Sequence, residues 1–329
     1  MKDRIVFKCR FGGKDGWGHV VRCSAIAEAF RHRGWETLLW GSGEFESLPD
    51  DVAQAFCGES REGLETSSIL FVDEMYTAQS ELETLATSWR SCNPTGIVAG
   101  VDDMQVRSMA GFDLVLNAEI GLEKSEYEAD LVLLGERYAM LRDGFGERKR
   151  ELDIPAFGDS VPVLVMLGGT DAFGYLPKAL DALALVDGPS VVPIVVAGNP
   201  RGLGDSLGHF ARSYVLGRVG AAELADWMEV CRAAVIACGS SVYEAAALAL
   251  PFVGLSIVDN QTASARKVEV NWGMPICYCE DGTFVGSEFQ EKFTRVLEKP
   301  KESYSKVDTL GAERVVEALI SKLLSRNSC

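Results

Sequence analysis

The sequence lacks a run of apolar residues long enough to cross a lipid bilayer. The longest candidate, residues 245–258, is interrupted by Pro251 and Gly254. The first residues, MKDRIVFKCRF, carry scattered charges and lack the apolar segment of a signal peptide. We therefore expect a cytoplasmic protein with no membrane partner.

An excess of basic residues is also missing. The chain has 48 acidic and 32 basic residues and a formal net charge of −16. Residues 1–150 hold 17 basic against 26 acidic residues, and the remainder holds 15 against 22. A protein that neutralises nucleic-acid phosphates, or docks on an anionic membrane surface, needs a positive patch. We therefore expect no nucleic-acid partner.

The cysteines lack the pairing that marks a disulfide frame or a zinc site. There are nine, an odd number, with no CxxC pair and no histidine nearby, so we expect reduced thiols. Asp73, Asp102 and Asp103 follow two apolar runs and resemble metal ligands, but they equally suit capping or turn roles. No clear third ligand accompanies them, and we predict neither a metal nor another cofactor.

Short apolar runs alternate with amphipathic stretches, a pattern typical of parallel sheets wound with helices. The first half has helical patterns at 20–33 and 81–91. Its strand-like runs fall at 5–11, 37–40, 69–72, 96–101, 114–116 and 131–134. After Phe145 the segment GERKRELDIPAFGDS is charged and then rich in turn residues, which predicts a domain boundary at residue 150.

The second half repeats the pattern. Its helical stretches fall at 174–185, 221–231, 241–250 and 262–272, with a final amphipathic helix at 311–324. Its strand-like runs fall at 161–167, 191–196, 214–216, 233–237, 252–257 and 276–278. This predicts an α/β fold of two Rossmann-like doubly wound domains, 1–150 and 151–329, facing a central ligand-binding cleft. The final helix is a candidate to pack back on the first domain.

The loop FGGKDGWGHVVRC, residues 11–23, joins the first predicted strand to the first helix. Glycines such as Gly16 and Gly18 let the backbone approach a ligand. His19 begins the helix, where the positive end of the dipole favours a neutral imidazole that can accept a proton, and Arg22 shares its face. A simple turn, a helix-start histidine and a solvated arginine are the alternative. The loop does not fit the dinucleotide fingerprint GxGxxG.

Two loops of the second half, LGGTD at residues 167–171 and ACGSS at residues 237–241, are candidate phosphate sites. Each follows a strand and opens a helix whose backbone amides suit a diphosphate. Neither contains the GK[ST] of a P-loop. Glu244 lies one turn into the helix that follows the second of these loops, where it is placed to accept hydrogen bonds from ribose hydroxyls. Helix capping by the serines, and a solvated Glu244, are the alternatives. The predicted phosphate-binding residues are Gly168, Gly169, Thr170, Gly239, Ser240 and Ser241.

Asn260 and Gln261 directly follow a buried strand. Amide side chains both donate and accept hydrogen bonds, so they suit sugar hydroxyls and phosphate oxygens. Ordinary loop and capping chemistry is the alternative.

Five stretches together resemble the nucleotide-sugar hydrolases of pseudaminic acid biosynthesis and the related glycosyltransferases of the GT-B fold. They lie within about four-fifths of the chain, in the order of that family. The family releases UDP from a 2,4-diacetamido-2,4,6-trideoxy-altropyranose. The stretches are GWGHVVRCSAIAEAF, VDDM with FDLVLNAE, LLGERYAMLRDGF, VLVMLGGTDAF and CGSSVYEAAALALPFVGLSIVDNQ.

The resemblance implies roles for particular residues. His19 matches the catalytic histidine of the GxGHxxR loop, which deprotonates water. Ser240, Ser241 and the Gly168–Asp171 loop match the diphosphate cradle, and Glu244 matches the ribose contact. Asn260, Gln261 and Tyr76 match residues near the sugar and phosphates. Because helix N-termini stabilise the departing UDP, neither a metal nor a covalent nucleophile is required.

The sugar side departs from the family pattern. An Arg-x-Asp motif at the end of the first strand is replaced by Lys8-Cys9-Arg10, and the Asp-x-Tyr motif is one residue longer, from Asp73 to Tyr76. The identity of the sugar stays open, as does the oligomeric state. We predict an inverting hydrolase of a UDP-linked amino-deoxysugar. A glycosyltransferase with a soluble acceptor, and a sugar-nucleotide binding protein without catalysis, are the alternatives.

Overall fold

The structure is a computed structural model that describes residues 3–12, 16–43, 45, 48–60, 66–146, 152–168, 171, 174–279, 282–300, 304 and 307–328. The chain divides into two compact units. One comprises Met1–Gly146 and Thr309–Cys329, and the other Glu147–Asp308. The division lies at residue 146 where the sequence suggested residue 150, and the last helix belongs to the first unit.

The first unit is built on a parallel sheet of seven strands with the order β3-β2-β1-β4-β5-β6-β7. The strands are β1 Arg4–Cys9, β2 Glu36–Gly41, β3 Gly58–Glu59, β4 Ile69–Asp73, β5 Ile97–Val101, β6 Leu114–Asn117 and β7 Leu131–Leu134. The helices are α1 Gly18–His32, α2 Asp50–Gln54, α3 Gln79–Cys92 and α10 Gly311–Asn327.

Helices cover both faces of this sheet, so its central strands are buried throughout. On one face Phe7 and Phe71 pack with Phe30 of α1 and Leu319 of α10. On the other face the fully buried Trp89 of α3 packs in a cluster of strand residues. Burial of each large apolar side chain contributes about 1.5–3 kcal/mol, which holds the helices on the sheet.

The second unit has a parallel sheet of six strands with the order β10-β9-β8-β11-β12-β13. The strands are β8 Val161–Met166, β9 Val191–Val196, β10 Tyr214–Leu216, β11 Ala233–Ala237, β12 Phe252–Ser256 and β13 Ile276–Tyr278. The helices are α4 Tyr175–Ala184, α5 Gly204–Leu207, α6 Ala221–Val230, α7 Ser241–Ala247, α8 Asp259–Lys267 and α9 Gly286–Glu298. A π-helical turn, Val268–Trp272, extends α8.

Each sheet has a point where the strand order reverses, between β1 and β4 in the first unit and between β8 and β11 in the second. Open α/β sheets bind ligands beyond the carboxyl ends of the strands at such a point. The fold therefore predicts ligand-binding residues directly after β1, β4, β8 and β11.

The predicted α/β class with two doubly wound sheets is confirmed. The sequence reading omitted α9, whose Phe289, Phe293 and Val296 are buried. It also began α8 at residue 262, three residues later than the structure has it. Within the described ranges, no helix combines the length and the apolar composition needed to cross a membrane.

Candidate functional site

His19 lies in the first turn of α1, and its imidazole contacts Asp73, the last residue of β4. The Nδ1 atom of His19 is 2.8 Å from Oδ1 of Asp73. An ionised carboxylate can only accept hydrogen bonds. Arg22 Nη2 also lies 3.1 Å from Nδ1, but the shorter contact of Nδ1 is with the carboxylate, so we assign the proton to Nδ1. In the neutral ring Nε2 then keeps a lone pair. This is the tautomer that a general base requires.

Arg22 holds the Asp73 carboxylate from a second direction. Its Nε donates to Oδ2 and its Nη2 to Oδ1, both at 2.5 Å. A third nitrogen, Nη1, lies 2.8 Å from Asp103, which follows β5. Because His19 and Arg22 are three residues apart on one helix, their side chains reach the same carboxylate. The bidentate geometry fixes the carboxylate plane and with it the imidazole.

The two charges of this cluster are mutually stabilised. Burial alone would raise the pKa of Asp73, which is 1% exposed, but the charge of Arg22 and the hydrogen bonds from Arg22 and His19 hold that pKa well below its usual range. Burial likewise opposes the charge of Arg22, yet Asp103 and Asp73 raise its pKa well above the ordinary value. Both groups are therefore ionised at neutral pH.

The contacts of Asp73 and Asp103 are not those of the capping, turn or metal-binding roles that the sequence allowed for them. The contacts of Asp73 are with His19, with Arg22 and, at 3.7 Å, with the Cys23 thiol. Asp103 pairs with Arg22. In the described part of the chain, no three His, Cys, Asp or Glu side chains are grouped so that they could hold a metal ion. Asp73 contacts the histidine, and Asp103 contacts only the arginine of this cluster.

Two glycines that precede α1 are joined by a backbone hydrogen bond. The Gly12 N–H donates to the Gly16 carbonyl at 2.8 Å, and both residues have positive φ, 78° and 68°. A positive φ is unfavourable for a residue that has a Cβ, so both positions favour glycine. Gly18 begins the helix with an ordinary φ and open space around it. The contact between Gly12 and Gly16 thus ends two residues before the start of α1.

Arg107 was missed by the sequence reading and holds the loop that follows β4. Its Nε and Nη2 donate to Oδ1 of the fully buried Asp102 at 2.9 and 2.7 Å. Its Nη1 donates to the Glu74 carbonyl at 2.7 Å. Tyr76 lies in this loop with 64% of its surface exposed. No sequence motif marks Arg107, because its partners come from two different strand ends.

In the first predicted phosphate loop of the second unit, the Asp171 side chain caps the start of α4. Gly168 follows β8 with a φ of 86°, while Gly169 and Thr170 lie outside the described residues. The Asp171 carboxylate accepts the backbone N–H groups of Tyr175 and Leu176, at 2.9 and 3.0 Å. These two amides at the start of α4 already bind a carboxylate, and a role of Gly168, Gly169 and Thr170 in binding a diphosphate stays a prediction.

The second predicted loop follows β11 and enters α7 at Ser241. The N-cap residue, Ser240, makes no side-chain capping hydrogen bond, so the capping alternative for it is not observed. Ser240 is exposed and Ser241 half-buried, whereas Glu244, one turn further, is buried. The first amides of α7 and two hydroxyls thus share one helix start, the arrangement that suits an anion.

Gln261 connects this loop to the next strand. Its Oε1 accepts the N–H of Ile257 at 3.1 Å, and its Nε2 lies 3.8 Å from the position that a Cβ of Gly239 would take. The side chain therefore supports the end of β12 and lies beside the loop after β11. Asn260, in the first turn of α8, is exposed.

No family model and no curated protein matches the chain, but solved structures resemble it over nearly its whole length. MurG of Acinetobacter baumannii has 13% identity and a TM-score of 0.66, and the match covers 98% of this chain and 100% of that one. S. aureus MnaA in complex with UDP has 10% identity and a TM-score of 0.65, with 98% and 97% covered. The spinosyn rhamnosyltransferase SpnG, complexed with thymidine diphosphate, has 14% identity and a TM-score of 0.62, with 98% and 96% covered.

At such low identities the similarity concerns the fold. All of these proteins match through both units of the chain, because the aligned regions cover 98% of it. Together with the two parallel sheets, the comparison identifies the architecture as the GT-B fold.

Proposed function

We propose that the chain is an enzyme that hydrolyses a UDP-linked amino-deoxysugar with inversion, releasing UDP and the free sugar. The observation that carries this proposal is the contact between His19 and Asp73 at the carboxyl end of β4. A histidine with its Nδ1–H held by a buried carboxylate presents Nε2 as a base, as in the catalytic triads of hydrolases. The resemblance to the pseudaminic acid hydrolases supports the choice of water as nucleophile.

In the proposed reaction, Nε2 of His19 takes a proton from water while the water oxygen bonds to the anomeric carbon. The bond from that carbon to the phosphate oxygen breaks, and its electron pair leaves with UDP. Asp73 stabilises the imidazolium that forms, and Arg22 keeps Asp73 ionised. Attack opposite to the leaving group inverts the anomeric centre.

The helix start at Ser240 and Ser241 is our candidate for the diphosphate, because backbone amides and hydroxyls there can meet the charge that develops on UDP. Glu244 is the candidate for the ribose. Two of the similar structures hold nucleoside diphosphates, UDP in MnaA and thymidine diphosphate in SpnG, which supports a ligand of that class. The uracil base rests on the family resemblance.

A glycosyltransferase is the second candidate, favoured by the similarity to the rhamnosyltransferase SpnG. In that reaction an acceptor hydroxyl takes the place of water, and the same Nε2 removes its proton. The two reactions differ only in the nucleophile, so they are separated by whether UDP is released without an acceptor.

The test is to follow UDP release from a panel of UDP-sugars without acceptor. We expect turnover by the wild type and a loss of about 10²–10⁴-fold in His19→Ala. His32→Ala is the matched control, because this exposed histidine lies near Asp143 at the far end of α1 and should leave the rate unchanged. Equal rates in the wild type and His19→Ala contradict the proposal, and UDP release that begins only when an acceptor is added favours the transferase.

A further inference from the structure

Asp103, the second residue after β5, has a carboxylate oxygen that is left for a ligand. Its Oδ2 lies 2.8 Å from Nη1 of Arg22, and no other described residue hydrogen-bonds to this carboxylate or forms an ion pair with it. A carboxylate oxygen accepts hydrogen bonds, so Oδ1 offers an acceptor. We use the name His19 cluster for four side chains, those of His19, Arg22, Asp73 and Asp103.

The other carboxylate of the His19 cluster has no such capacity. Oδ1 of Asp73 accepts N–H groups from His19 and Arg22, and its Oδ2 accepts from Arg22 and, at 3.7 Å, from the Cys23 thiol. The Asp73 side chain is buried, whereas those of His19, Arg22 and Asp103 are 14%, 17% and 27% exposed. The cluster is therefore open to solvent at its outer members, and most of all at Asp103.

Asp103 lies within reach of a sugar that reacts at His19. Two nitrogens of the Arg22 guanidinium contact the two groups, because Nη2 is 3.1 Å from Nδ1 of His19 and Nη1 is 2.8 Å from Oδ2 of Asp103. The imidazole and this carboxylate are thus separated by the width of one guanidinium group. A sugar ring is of comparable size, so a sugar whose anomeric carbon lies near His19 can place a substituent against Asp103.

The His19 cluster holds more negative than positive charge. Asp73 and Asp103 contribute two carboxylates, Arg22 contributes one cation, and His19 is neutral in its basic form. One negative charge is therefore left over within the cluster. A nucleoside diphosphate is itself an anion, so this excess opposes binding of the substrate unless the sugar brings a positive charge.

The cations at the neighbouring strand ends are matched by carboxylates of their own. A cavity beside β1 and β4 is lined by two cations and two carboxylates, Lys8, Arg10, Glu74 and Glu81. After β5, Arg107 pairs with the buried Asp102. None of these three cations is in excess, so they do not offset the charge left over in the His19 cluster.

We infer that the sugar of the nucleotide substrate carries an unacylated amino group, whose ammonium donates a hydrogen bond to Asp103. This rests on the proposed function and deepens it, because it narrows the amino-deoxysugar to one with a free amine. An ammonium supplies both the donor that Oδ1 can accept and the charge that balances the cluster. An N-acetyl group supplies a donor without the charge. The inference separates this chain from the family that it resembles, whose sugar is acetylated at both nitrogens.

Binding to the full-length His19→Ala variant, measured by titration calorimetry, tests the inference without turnover. The probes are UDP-glucosamine and UDP-4-amino-4-deoxyarabinose, each compared with its N-acetyl derivative. The pH is about 6.5, so that the amines are protonated, and EDTA is present so that no metal ion bridges ligand and carboxylate. We expect at least one amine to bind about tenfold more tightly than its N-acetyl derivative. Equal affinities within both pairs, tighter binding of the N-acetyl derivatives, or no binding of any probe would overturn the inference.

The substitution Asp103→Asn, in the same background, tests whether this residue causes the preference. Its amide keeps an oxygen for Arg22 but presents an amino group to the ligand, so the preference for the amine should fall below about twofold. The N-acetyl derivative should bind as before, which shows that the variant is folded. Asp143→Asn, at the far end of α1, is the matched control and should keep the full preference. An unchanged preference in Asp103→Asn would refute the assignment.

Turnover separates this inference from the proposed function. If the preference and its loss in Asp103→Asn are observed but the wild type releases no UDP from any probe, the free amine stands and the hydrolase proposal fails. If the wild type cleaves both members of a pair with the same kcat/KM, the hydrolase stands and the free amine is wrong. An equal fall in kcat for both members in Asp103→Asn would also overturn the inference, because Asp103 would then act on the reacting carbon.

Discussion

Replacing Asp73 by asparagine should disable His19 while keeping the volume of the side chain. The two carboxylate oxygens receive N–H groups from His19 Nδ1 and from Arg22 Nε and Nη2. An asparagine offers one oxygen and one amino group, so one of these donors would face another donor. The conflict is relieved if the imidazole moves its proton to Nε2, which can then no longer act as a base. We expect turnover to fall about 10²–10⁴-fold.

The assay is UDP release at saturating substrate, alone and in the His19→Ala background. If Asp73 acts through the histidine, Asp73→Asn should add little to the loss that His19→Ala already causes. Asp143→Asn is the matched control, since Asp143 lies near His32 at the far end of α1. We expect that control to change turnover less than about fivefold, the equivalent of roughly 1 kcal/mol.

Two results would refute this reasoning. One is wild-type turnover in Asp73→Asn. The other is a loss in the His19→Ala background as large as the loss in the wild type, because independent effects multiply.

The same substitution should change stability in acid. The folded-state pKa of Asp73 lies below its unfolded value of roughly 3.9. The ionised carboxylate therefore stabilises the fold above that value, and the contribution is lost as the pH falls toward the folded-state pKa. Between about pH 5 and pH 3 the free energy of unfolding, from urea denaturation, should fall less steeply in Asp73→Asn than in the wild type. Parallel curves would show that Asp73 is not held as described.

Two further predictions concern the frame around the site. Arg107→Met leaves its buried partner, the Asp102 carboxylate, unpaired and should lower the free energy of unfolding by about 3–5 kcal/mol in urea denaturation. Arg295→Met, at an exposed helical ion pair, should lower it by less than about 1 kcal/mol. Equal losses in the two variants would contradict the assignment. Gly311→Ala would place a Cβ against the carbonyl oxygen of Ala139 and should lower the free energy of unfolding by at least about 1–3 kcal/mol in the same measurement. Gly204→Ala, with open space around it, should be nearly neutral. A neutral Gly311→Ala would mean that α10 does not approach this closely.

Much of the fold was readable because strands buried on both faces are short apolar runs. The runs at 191–196, 214–216, 233–237 and 276–278 coincide with β9, β10, β11 and β13. Helix α9 was missed although Phe289, Phe293 and Val296 recur at helical spacing, a signal that was present in the sequence.

Only part of the candidate site could be predicted from the sequence. His19 and Arg22 lie on one helix, so their common face follows from their spacing. Their partner Asp73 is more than fifty residues away, and its role depends on β4 pairing with β1. Strand order is a property of the whole chain, set by long-range packing. The role of Arg107 could not be predicted for the same reason, since its guanidinium joins Asp102 to the Glu74 carbonyl, which follows a different strand.

The return of α10 to the first unit has a consequence for how this protein is made. Val315, Val316 and Leu319 complete the apolar layer that covers Ile26 and Phe30. On the ribosome these residues emerge after the entire second unit. Ile26 and Phe30 therefore lack part of their final packing until nearly three hundred further residues have been synthesised. The second unit, continuous in sequence, has no such delay and is free to fold while the first is still incomplete.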